Sequence, residues 1–127
     1  MKSRPPQSQD LHDKIIKNLA CHLMRKNFHD IRADHPDFNE KPSPITNRES
    51  NISQIPDVTA VGIQMVLFEV ETDDSLNDPH TQLQWKMFSS YADQNMAEFW
   101  IVVPKGKKVE AWERVSRLEV NAKVMEI

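Results

Sequence analysis

Only two glycines, one cysteine and one tyrosine occur in the 127 residues, and each shortage excludes something. With Gly62 and Gly106 as the whole supply of glycine, no glycine-rich loop is available to cradle a nucleotide phosphate. Cys21 stands alone, so no internal disulfide can form and a thiolate zinc site has no second sulfur. The histidines, His12, His22, His29, His35 and His80, lack the paired spacing of metal ligands. Nowhere does the chain approach the roughly 20 apolar residues that cross a bilayer. Residues 1–9 hold no apolar signal segment, so the sequence predicts a cytoplasmic protein. A large charge of one sign is also missing. The formal net charge is −3, which rules out a uniformly basic coat and requires any polyanion to be met by a local patch.

What is present suits one globular domain, 39% hydrophobic and 28% charged. Residues 1–9 read as a flexible tail, because Arg4-Pro5-Pro6-Gln7-Ser8-Gln9 offers nothing to bury. The domain then spans 10–127. Asp10 is placed to cap a helix on which Leu11, Ile15, Leu19 and Leu23, with Ile16, Ala20 and Met24 beside them, form an apolar stripe. Cys21 on this helix is expected in or beside the core. Residues 28–32 read as a short strand. Pro36, Pro42 and Pro44 make 34–55 a long loop without a long regular element. Strands at 57–61 and 65–71 form a hairpin around Gly62. Asp78-Pro79 supplies a cap and an N1 proline for a helix over 81–93, which would bury Leu83, Trp85, Met87, Phe88, Tyr91 and Ala92. The same periodicity assigns Phe99 and Trp100 to the core. Residues 98–103 carry the nearly continuous apolar run of a strand buried on both faces. A helix at 109–118 and a strand at 122–127 complete an α/β chain, with a mixed β-sheet flanked by helices.

Three carboxylates stand out in this frame. Asp57 opens one hairpin strand, and Glu69 and Glu71 lie two apart on the other, so both point to one face. Among Val66, Leu67, Phe68 and Val70 these acids would be desolvated and would repel each other unless a cation lay between them. Mg²⁺ suits such a place, because it takes oxygen ligands from few carboxylates and several waters. The plainer reading puts the acids on the solvated face of an edge strand.

Pro56-Asp57, eleven intervening residues and then Glu69-Val70-Glu71, after one helix and before a helix and a buried strand, resemble the PD-(D/E)XK nuclease superfamily of restriction-endonuclease-like fold. The resemblance covers 10 to about 103 and implies an αβββαβ core, here with an extra C-terminal helix and strand. It implies Asp57 and Glu69 as ligands of Mg²⁺, with Mn²⁺ as a substitute, and the Val70 carbonyl as a further ligand. The third motif position departs from the usual lysine. Glu71 matches the Glu-x-Glu of some restriction enzymes, where a carboxylate can act as general base or ligate a second metal. Lys86 on the following helix is the candidate to restore the lost positive charge, with Gln82 and Gln84 as the other candidates, helical phase deciding which points inward, and Asp13 as the analogous acid on the first helix.

The implied activity is metal-assisted hydrolysis of DNA phosphodiesters by a small endonuclease, acting as a homodimer because each chain carries one site. Basic clusters at Lys105-Gly106-Lys107-Lys108 with Arg114 and Arg117, or at Arg25-Lys26 and Arg32, would meet the DNA backbone; their plainer reading is solvated surface charge. An alternative keeps the fold as a catalytically inactive module for nucleic-acid or protein binding. A third reading is an unrelated α/β scaffold in which the match is coincidental.

Overall fold

The apolar stripe of the first helix needs a sheet to cover, and it finds one. The structure is a computed structural model describing residues 4–127, and in chain order it contains α1 (Pro6–Arg25), β1 (His29–Ala33), β2 (Ile45–Asn47), β3 (Ile52–Gln54), β4 (Val58–Val61), β5 (Met65–Val70), α2 (Pro79–Gln94), β6 (Glu98–Val103), α3 (Lys108–Leu118) and β7 (Lys123–Glu126). Five strands form one sheet in the order β1-β4-β5-β6-β7, and β2 and β3 form a separate pair. The β1–β4 and β4–β5 pairings are antiparallel, whereas β5–β6 and β6–β7 are parallel. Each parallel pair needs a crossover, which α2 and α3 supply.

Alternation along β5 sorts the two cores. Val66, Phe68 and Val70 face α1 and pack with Ile15, Ile16, Leu19 and Leu23. Leu67 faces the other way, into a layer built from Trp85 and Phe88 of α2, Ala111 and Val115 of α3, and Phe99 and Ile101 of β6. With helices on both sides, β5 and β6 are buried along nearly their whole length, which accounts for the apolar runs at 65–68 and 99–103. Ile16 and Leu19 are wholly buried, where truncation to alanine costs about 2–5 kcal/mol. No described helix is long and apolar enough to cross a membrane.

Several expectations need correction. The tail expected at 1–9 is structured where it is described: α1 begins at Pro6, one residue after Pro5 at the cap position, and Arg4 is docked against the fold. Residues 1–3 lie outside the described residues. Asp10 is therefore inside the helix and caps nothing. Cys21, expected near the core, is exposed, because the buried face runs through Leu19, Ala20 and Leu23. Within 34–55 the chain makes the β2–β3 hairpin, held partly by a hydroxyl contact between Thr46 and Ser53.

On α2 the Asp78 cap holds, its carboxylate accepting from the His80 N–H at 2.9 Å. The buried face, however, runs through Thr81, Gln84, Trp85, Phe88, Ser89 and Ala92. Trp85 and Phe88 are the largest fully buried side chains among the described residues, and seating both in the core turns Leu83 outward to 62% exposure.

Candidate functional site

Hairpin register decides which acids meet. Val58 of β4 pairs with Phe68 of β5, so Asp57, one step earlier, reaches the level of Glu69. The Asp57 N–H donates to Glu69 Oε1 at 2.9 Å, and the Val70 N–H donates to Asp57 Oδ2 at 2.8 Å. Each acid is thus fixed by the backbone of the strand beside it. His12 of α1 approaches the same Asp57 oxygen, with Nε2 3.2 Å away, while its Nδ1 lies 3.5 Å from Asp13. Burial alone would lower the His12 pKa, and the Arg4 charge acts in the same direction. The hydrogen bond and charge of Asp57, helped by Asp13, outweigh both and raise the pKa above the ordinary 6.5.

Glu71 is buried like Glu69 but has different partners. Its carboxylate is fully buried and accepts from the Trp85 indole N–H at 2.8 Å on Oε2 and from the Ser75 hydroxyl at 2.7 Å on Oε1. Arg4, 5% exposed, brings Nη2 to 3.9 Å from Oε1 and donates through Nη1 to the Thr72 hydroxyl at 2.5 Å. A carboxylate in an apolar layer costs several kcal/mol unless donors replace its water. Here an indole, a hydroxyl and a guanidinium do so. The neighbouring Asp74 extends the network. Burial opposes its ionisation, but hydrogen bonds from Ser8 and Thr72 and the charge of Arg4 hold its carboxyl below the usual range.

The three acids expected at one point are therefore divided: Asp57 is joined to Glu69, and Glu71 is held by α2 and the chain after β5. Among the described residues, no group of three or more His, Cys, Asp or Glu side chains has an arrangement that could hold a metal ion. Asp57 and Glu69 at the ends of adjacent strands remain as a two-carboxylate, hard-oxygen donor set. That set matches the usual protein contribution to Mg²⁺, which takes its other ligands from waters and substrate phosphates. Val70 contributes its N–H to Asp57. Glu71, with both oxygens engaged by buried donors, ties β5 to α2.

Lys86 is exposed and lines a groove of about 990 Å³ between α2 and the β2–β3 hairpin; none of the three acids lines it. Gln84 is buried and donates to Gln54 at 2.9 Å, linking α2 to β3. Much of the basic charge expected to meet DNA is paired with protein groups: Lys107 with Asp73 and Glu110, Arg114 with Asn77 and Glu110, and Arg32 with Asp30. Arg25 and Lys26 are exposed at the end of α1.

His12, Arg4, Ser75 and Trp85 had no place in the sequence-based site. His12 carried a signal, since it falls on the same helical stripe as Ile15, Ile16 and Leu19, and a histidine there needs a polar partner. Trp85 carried a weaker one, because a core indole seeks an acceptor. Nothing local marks Arg4. Comparison of the chain with known protein families, with curated proteins and with solved structures finds no match in any of the three.

Proposed function

We propose that the chain is a small divalent-metal-dependent DNA endonuclease of restriction-endonuclease-like fold, with Asp57 and Glu69 as the pair that holds Mg²⁺ or Mn²⁺. The observation that carries this reading is the reciprocal tie between them, in which each acid is positioned by the strand bearing the other. The order of elements also supports it: with the β2–β3 hairpin set aside, α1, β1, β4, β5, α2 and β6 repeat the αβββαβ order that the motif resemblance implies.

Bound there, the ion would supply Lewis-acid stabilisation of the phosphoryl oxygens and a more acidic water. The chain's own residues do the positioning. Asp57 and Glu69 present oxygens from two strands, and His12 with the Val70 N–H orients the Asp57 carboxylate. Cutting both strands of a duplex takes two such sites, so a homodimer belongs to the proposal. The catalytically inactive binding module remains the second reading, favoured by one observation: Glu71, at the motif's third position, and Glu69 are both buried, at 0% and 2% exposure.

The test is nicking of supercoiled plasmid by the parent and by Glu69→Gln, which keeps an acceptor for the Asp57 N–H. The parent is expected to nick with Mg²⁺ or Mn²⁺ and to stop in EDTA, and the variant to fall to background with an unchanged circular dichroism spectrum. Equal nicking by both would refute the site. A parent inert with either metal would leave the binding module.

A further inference from the structure

We propose that the groove between α2 and the β2–β3 hairpin binds a segment of single-stranded nucleic acid, an inference that rests on the phosphodiester reading of Asp57 and Glu69. None of the three acids lines the groove, and the chain itself is what links the two. Gln54 lines the groove, stands three residues before Asp57, and is hydrogen-bonded to Gln84, the neighbour of the Trp85 that holds Glu71. Its charge also differs from that of the whole molecule. Arg48 on the hairpin and Lys86 on the helix line it against one acid, Glu49, while the chain carries a formal −3. Neither cation makes an ion pair among the described residues, in contrast to Lys107, Arg114 and Arg32.

Between these charges the groove offers the half-buried ring of Tyr91 and the outward Leu83. Apolar and aromatic surfaces of this kind serve unstacked bases, whereas a duplex keeps its base faces in the stack. His80 adds a polar contact at the wall: its Nε2 is buried and has no hydrogen-bond partner among the described residues. Cations for the backbone, a ring for a base and a waiting ring nitrogen together match a single strand. An extended peptide without acidic side chains would use the apolar surface and leave the two cations unpaired.

Fluorescence anisotropy in EDTA tests this with a dye-labelled oligodeoxynucleotide of about ten nucleotides, within the length one small fold covers. The parent is expected to bind the single strand more tightly than the matching duplex. Arg48→Gln/Lys86→Gln should weaken binding by about tenfold and lower the log–log salt slope by about 1.4, at roughly 0.7 per lost phosphate contact. Tyr91→Ala should weaken it by about fivefold or more. No binding by the parent, equal affinity for duplex, unaltered binding by the variants, or capture of an extended peptide in place of the oligonucleotide would each overturn the proposal. Because no metal is present, single-strand binding without plasmid nicking would keep the groove and reject the nuclease. Nicking without groove-dependent binding would do the reverse.

Discussion

His12 is a helix residue with the duties of a core residue and of a charged one. It occupies the apolar face of α1, yet both ring nitrogens lie near carboxylates, Asp57 on one side and Asp13 on the other, with the Arg4 charge opposing them. Its pKa is raised in the folded chain, so the protonated ring contributes stability that is fully present below the unfolded value near 6.5 and is lost as pH rises through the higher folded value. Urea unfolding followed across neutral pH should show this loss in the parent and lack it in His12→Gln. Parallel curves for the two would show that the contact does not act as an ion pair. The stripe that contains His12 was readable from helical spacing. Its partner was not, because the residue that meets it is 45 positions away and no local pattern encodes that distance. Arg4 is the extreme case: its charge satisfies Glu71 and Thr72 across 67 and 68 residues, from a proline-flanked stretch that reads as tail.

At the scale of elements, most strands and helices were legible, while the three-residue strands and the rotation of α2 were not. β5 and β6 stand out because burial on both faces leaves apolar runs at 65–68 and 99–103, and α2 stands out because Asp78 and Pro79 mark its start. β2 and β3 have three residues each, too few for alternation to register, and lie among prolines that argue against regular structure. The phase of α2 was misjudged for another reason: counting apolar residues gives Leu83 the same weight as Trp85, whereas the larger ring takes the core. The hairpin meets α2 through the Gln54–Gln84 contact and the buried Ile45, while its turn around Arg48 is exposed. Limited trypsin digestion should therefore cut first after Arg48, with bound oligonucleotide slowing the cut. Early cleavage within the sheet, or a turn resistant in the free protein, would contradict this picture.

Across the whole molecule, one central hairpin carries the candidate chemistry. Helices on both faces bury it, and the antiparallel β4–β5 register brings Asp57 and Glu69 together. The parallel β5–β6 pair and its α2 crossover instead draw Glu71 toward Trp85. Proximity of the three acids in sequence was therefore a good guide to two of them only, since the third is claimed by a helix whose contacts are set by core packing. The account stands on Asp57 and Glu69 sharing one divalent ion. Calorimetric titration with Mn²⁺ of the parent, Asp57→Asn and Glu69→Gln tests this most directly, both substitutions keeping a hydrogen-bond acceptor in place. Saturable heat in the parent that disappears in each folded variant is the predicted result. The same heat in all three proteins, or none in the parent, would contradict it.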